Sequence, residues 1–233
     1  MFCAMLFLQY MMQMVVFAEE IYHNKTTIGQ TQQKRFLQVE QFGTGETTIV
    51  ILASIHGNEV IGTPLLNMFS TQLFQNPAWT ADRRIVCITV MNPDGVVAET
   101  RGNRDNIDIN RNFPTENFGR GWFHGEAPLD AEESEMLMGL LIQLQPDRVL
   151  SIHQPLNGID YDGPSKEMAE ELSTISGIRI HKLGSRSGSL GTFLGVEMGI
   201  PIITLEISND RSTLPPEKLW ALYEPFLLKF ILE

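Results

Sequence analysis

Two periodicities alternate along the chain. "RFLQVEQFG" (35–43) and "TTIVILASI" (47–55) are short runs rich in β-branched and aromatic residues; they predict two strands joined through the turn-forming "GTGE". Apolar spacing of three and four then takes over, predicting a helix from Glu59 to Phe74. "RRIVCITVMNP" (83–93) reads as a third strand, stopped by Asn92-Pro93-Asp94-Gly95, a strong turn signal. Residues 101–125 are rich in glycine and asparagine and predict a loop. "DAEESEMLMGLLIQLQ" (130–145) has acids in its first turn and Asp130 as its expected N-cap, so it predicts a helix. "DRVLSIHQP" is a strand ending in His153, and "SKEMAEELSTISG" a helix capped by Ser165 and closed by Gly177. "IRIHKLG" (178–184) predicts a strand, "SLGTFLGVEMGI" a short helix, and "PIITLEIS" a strand carrying Glu206. A C-terminal helix, "PPEKLWALYEPFLLKFIL", opens on proline. Strands alternating with helices predict one α/β domain.

The 233 residues suffice for one such domain with a full core, and 43% apolar against 19% charged residues is a globular balance. A formal net charge of −11 argues against nucleic acid and against adhesion to anionic lipid. It leaves room for a small anionic substrate held by a few local arginines. Cys3 and Cys87 form neither a disulfide framework nor a zinc pattern, and Cys87 sits in an apolar strand. The first 18 residues are apolar from Phe2 to Ala18 and give way to Glu19, which suits a signal peptide, although no basic residue precedes the run. Gln9 and Gln13 interrupt the run, which is short for a bilayer, so no stable membrane span is expected. A cleaved leader would place residues 19–233 in the periplasm or outside the cell; without one the chain would be cytoplasmic.

Several polar residues fall at the C-terminal ends of the predicted strands: His56, Asn92, His153 and Glu206. Ligands of open α/β sheets bind at that edge, so these residues are expected to converge. His56-Gly-Asn-Glu59, together with His153, offers two imidazoles and a carboxylate, the three-donor set of a catalytic zinc with a fourth position open. A lone histidine is more often a hydrogen-bonded polar residue than a ligand; the shared position at strand ends changes that balance. Glu206, in an otherwise apolar strand, is either a solvent-facing edge residue or a general base beside the metal. "RGNRDNIDINRNFP" (101–114) packs three arginines and four asparagines into an acidic protein and suggests carboxylate recognition. Arg104 suits a solvated loop, whereas Asn110-Arg111-Asn112 lie between Ile109 and Phe113 and read as partly buried.

These motifs, in this order, resemble those of the zinc metallocarboxypeptidases: His56-x-x-Glu59, "NPDG" at Asn92, "DINRNFP" from Asp108 to Pro114, the strand ending in His153, and Glu206 before the last helix. "SIHQPLNGIDYDGP" and "GSLGTFLGVEMGIPIITLEI" are similar to segments of the compact bacterial branch that contains murein peptide amidases. The resemblance implies a mixed, mostly parallel eight-stranded sheet sandwiched between helices. It implies one zinc ion on His56, Glu59 and His153, with Glu206 as general base and Arg101 at the developing oxyanion. It further implies Asn110 and Arg111 as the clamp on the substrate carboxylate, and Asp108 as the partner that fixes the His56 tautomer. The implied reaction is hydrolysis of the amide between γ-D-glutamate and meso-diaminopimelate in a small peptide from peptidoglycan. The large digestive enzymes carry a mobile tyrosine that has no match here: Tyr161 lies too near His153, while Arg186 is either a cover for the site or a solvated loop residue. Two other readings remain: a deacylase of the aspartoacylase and succinylglutamate desuccinylase type, and a non-catalytic module that binds peptidoglycan fragments.

Overall fold

The computed structural model describes residues 22–121 and 123–232, so the expected signal peptide at residues 1–18 lies outside the described residues. Seven strands form one sheet: β1 (His23–Gln30), β2 (Phe36–Phe42), β3 (Thr47–Ala53), β4 (Arg83–Ile88), β5 (Arg148–His153), β6 (Gly158–Asp162) and β7 (Ile202–Glu206). Their spatial order is β1-β2-β4-β3-β5-β7-β6. The three central pairings, β4 with β3, β3 with β5 and β5 with β7, are parallel. The outer three, β1 with β2, β2 with β4 and β6 with β7, are antiparallel. The expected eight, mostly parallel strands are thus corrected to seven among the described residues, evenly mixed. The predicted strand at 178–184 accounts for part of the difference, because it makes only an isolated bridge, Ile159 to Ile180, before turning away.

Among the described residues five α-helices flank the sheet: α1 (Gly62–Gln75), α2 (Pro93–Ala98), α3 (Glu132–Leu144), α4 (Lys166–Ser176) and α5 (Pro216–Leu232); a π-helix spans Thr192–Glu197. β3 shows how the layers close. Ile49, Ile51 and Ala53 face a core built with Phe69 of α1, Leu172 of α4 and Phe226 of α5. Val50 and Leu52 face the opposite core, with Leu137 of α3, Phe113 and Phe193. Alternate side chains serve opposite faces, so a strand covered on both sides reads as one continuous apolar run. Arg148, buried at the start of β5, donates to the carbonyls of Phe230 and Ile231 and satisfies the end of α5.

Two helix starts differ from expectation. α1 begins at Gly62 rather than Glu59, because Glu59 is held in a turn by its N–H to the His56 carbonyl. α3 starts from Ala131, while the Asp130 carboxylate accepts the N–H groups of Glu126 and Ala127 and so closes the turn before the helix. "NPDG" is both turn and helix start: Asn92 caps α2 by accepting from the Gly95 N–H at 2.8 Å.

Candidate metal centre

The parallel strands end side by side, and their ends build the site. β5 terminates at His153, directly paired with Glu206 at the end of β7. Beyond the end of β3, Ser54 turns the chain with a left-handed φ of 51° and leads into His56-Gly57-Asn58-Glu59. Gly57 is required there, since a Cβ would strike the backbone of Gly95. The sheet therefore brings His56, Glu59 and His153 together, with one donor atom from each within 4.8 Å of the others.

The donors are oriented. His56 Nε2 meets Asp108 Oδ1 at 3.0 Å, and His153 Nε2 meets Ser151 Oγ at 3.0 Å. Both Nδ1 atoms are thereby turned toward Glu59, at 2.9 Å from Oε1 for His56 and 2.8 Å from Oε2 for His153. His56 Nδ1 is close to the carboxylate yet off the direction of a hydrogen bond, which leaves a buried ring nitrogen without a hydrogen-bond partner. An orphaned imidazole nitrogen beside a second imidazole and a carboxylate is the donor chemistry that zinc takes, so these residues fit the ion.

Electrostatics point the same way. Burial opposes charge on His56, but the Asp108 and Glu59 carboxylates outweigh it and raise its pKa above the ordinary imidazole value. Burial would raise the Glu59 pKa, yet the two histidines hold it well below the usual carboxylate range. Asp108 is likewise held low against its burial, by His56 first and then by Arg101 and Arg111. A bound dication would compete with the proton for these donors. Burial pushes the Glu206 pKa up, partly offset by His153 and the Leu156 N–H; a bound dication would pull it back.

The three donors lie in a cavity of about 340 Å³ that Glu206, Arg101, Asn110 and Arg111 also line. Arg101 donates from Nε to Asp108 Oδ2 at 2.8 Å and from Nη1 to Glu59 Oε1 at 3.1 Å. The Asp108 carboxylate also accepts the Asn110 N–H at 2.9 Å, which starts the 3-10 turn Ile109–Arg111. Asn110 Oδ1 accepts from the Leu190 N–H at 2.8 Å, leaving its Nδ2 donors for a ligand. Arg111 is largely desolvated, and burial lowers its pKa. Arg186 lines the same cavity, whereas Tyr161 packs against the core and does not. Sequence reasoning missed Ser151, Asp160 and Asp162. Of these, the spacing of Ser151 two residues before His153 on one strand face was the available signal.

A family model described as zinc carboxypeptidase matches residues 9–153, more than half of the chain. The chain belongs to the zinc carboxypeptidase family. It is accordingly a metallopeptidase-type hydrolase, and the family implies zinc for the His56, Glu59 and His153 group. The match ends at His153, so Glu206 enters the site on geometry. Murein peptide amidase A of Vibrio campbellii is 31% identical over 202 residues, which cover 78% of this chain and 76% of that protein. The protein of the same name from Escherichia coli K12 is 28% identical over 185 residues, covering 70% and 74%. The crystal structure of a murein-tripeptide amidase from Escherichia coli O157 shares the fold with a TM-score of 0.68 at 22% identity, over 88% of this chain and 92% of that one. Among the described residues no helix is long and apolar enough to cross a membrane.

Proposed function

We propose that the chain hydrolyses an amide bond in a small peptide derived from peptidoglycan, the bond between γ-D-glutamate and meso-diaminopimelate, and releases the C-terminal amino acid. The observation that carries the reading is one cavity holding the three-donor group, a carboxylate on the neighbouring strand end, and unpaired donors for a terminal carboxylate. The names of the relatives supply the substrate class.

Zinc held by His56, Glu59 and His153 supplies Lewis acidity at the scissile carbonyl. The chain does the rest. Arg111 and the Nδ2 group of Asn110 bind the free carboxylate of the leaving residue and set its register. Arg101, fixed by Asp108 and Glu59, presents its guanidinium where negative charge develops on the carbonyl oxygen. Glu206 accepts a proton from the attacking water on a carboxylate oxygen and delivers it to the departing amine nitrogen.

The test is mass spectrometry on the zinc-loaded chain with L-Ala-γ-D-Glu-meso-diaminopimelate, N-acetylaspartate and succinylglutamate, each with and without a chelator. Chelator-sensitive release of diaminopimelate is expected. Turnover of the acyl amino acids alone would replace the reading with a deacylase, and no turnover with zinc bound would leave a binding role.

A further inference from the structure

Part of the cavity wall is acidic. Asp160 and Asp162 stand on β6, two residues apart and therefore on one face of the strand, and both line the cavity. They are 5% and 8% exposed. Each uses a single oxygen for local contacts. Asp160 Oδ1 accepts the Leu183 N–H at 3.0 Å and lies 3.2 Å from Lys182 Nζ. Asp162 Oδ1 accepts from Ser185 Oγ at 3.0 Å and from Lys182 Nζ at 3.2 Å. The second oxygen of each, Oδ2, has no hydrogen-bond partner among the described residues. The Asp162 Oδ2 atom passes over Gly191, where a Cβ would collide with it, so the glycine keeps that oxygen in reach of the cavity.

Charge counting gives the occupant. Among the described residues Lys182 is the one cation that pairs with these two carboxylates; it is 41% exposed, lies over the Tyr161 ring, and does not line the cavity. One negative charge remains uncompensated on this wall. Arg111 and Arg186 line the same cavity and are near enough to repel each other, and among the described residues no carboxylate pairs with the Arg186 guanidinium. A buried wall with a spare anion and unused acceptors is costly unless a cation fills it. Leaving residues with plain apolar side chains would leave that cost in place.

We propose that Asp160 and Asp162 form the specificity-determining end of the cavity and bind an ammonium group on the side chain of the leaving amino acid, which is therefore a diamino acid. The proposal rests on the amide-hydrolase reading above. Placing the α-carboxylate at Arg111 and the distal ammonium at β6 uses both charged walls in one ligand. Arg186 then meets any second carboxylate at the distal end, as in diaminopimelate.

The experiment compares γ-D-glutamyl amides of four leaving residues on the zinc-loaded wild type, Asp160→Asn and Asp162→Asn: meso-diaminopimelate, lysine, 2-aminopimelate and norleucine. The first two carry the distal ammonium and the others lack it. Asparagine retains Oδ1 as acceptor for Leu183 or Ser185, so the wall keeps its shape. The readout is the kcat/KM ratio of each ammonium substrate to its counterpart without the ammonium, meso-diaminopimelate against 2-aminopimelate and lysine against norleucine. That ratio is expected to fall about tenfold or more in each variant, as when a buried charged partner is lost. A ratio unchanged in both variants, or a uniform fall over all four substrates, overturns the proposal and makes the pair a purely structural holder of residues 183–185. Calorimetric binding of free meso-diaminopimelate against 2-aminopimelate supplies a readout independent of turnover. If the wild type cleaves none of the amides yet prefers free diaminopimelate, and loses the preference in the variants, the function reading fails while the subsite stands. Equal binding of the two amino acids by the wild type removes the subsite.

Discussion

Replacing Asp108 by asparagine isolates what one buried carboxylate does for the centre. Asp108 is 2% exposed and receives three donors: His56 Nε2 and the Asn110 N–H on Oδ1, and Arg101 Nε on Oδ2. Asparagine offers one oxygen and one NH2. With the oxygen toward His56, the NH2 faces the Arg101 Nε–H, donor against donor. With the oxygen toward Arg101, the NH2 faces the Asn110 N–H, and His56 can accept only by moving its proton to Nδ1, the candidate ligand atom turned toward Glu59. Loss of a charge-assisted hydrogen bond costs about 1.5–3 kcal/mol. The Arg101 share is smaller, because that side chain is 41% exposed and water screens the pair. Zinc affinity should therefore weaken by about 10–100-fold, the usual range for removing a ligand's orienting partner. Competition against a chromophoric chelator at neutral pH reads the Kd, with a thermal melt to verify folding. Asp94→Asn is the control. Asp94 is equally buried, but it accepts from Thr31 Oγ1 at 2.9 Å and Arg35 Nη1 at 2.7 Å and makes no hydrogen bond to His56, Glu59 or His153. It should lose about 1–3 kcal/mol of stability and keep its zinc affinity. A folded Asp108→Asn protein that binds zinc as tightly as the wild type would refute the claim that Asp108 sets the tautomer of His56.

Three further outcomes are expected. Glu206→Gln should retain stoichiometric zinc by elemental analysis while kcat falls by about 10²–10⁴, the range of general acid–base catalysis; turnover near the wild-type rate would remove Glu206 from that role. Arg111→Ala should raise KM for substrates with a free terminal carboxylate by about tenfold or more and leave kcat less affected, and an unchanged KM would take Arg111 out of substrate binding. Glu133, buried in the first turn of α3, has its pKa raised by burial although Asn103 Nδ2 donates to it at 2.8 Å. A raised carboxyl disfavours its ionised form in the fold: the cost is absent below the unfolded pKa of about 4.3 and grows as pH rises through the folded value. Glu133→Gln keeps an acceptor for Asn103 and loses the charge, so its melting temperature should gain on the wild type from pH 4 toward pH 7; a difference that is flat with pH would contradict this.

What could be read from the sequence follows burial. β3, β5 and β7 are covered on both faces, so their apolar runs announce them, and the polar residues that end them stand out as a site. β1, "HNKTTIGQ", is a mostly exposed edge strand without apolar alternation; only its ladder to β2 makes it a strand. β6, "GIDYD", was hidden for a different reason. Its two aspartates look like turn residues, and the antiparallel register against β7, Asp160 to Thr204 and Asp162 to Ile202, is what aims them at the cavity. A one-residue slip would send both carboxylates to the opposite face and put Tyr161 in their place. The metal donors sit at strand ends, where the chain direction alone fixes the edge they reach. The acidic wall sits within a strand, where tertiary register fixes the face. Local sequence can therefore point to the hydrolytic centre and remain silent on the wall that selects the leaving residue, because the two depend on different levels of the fold.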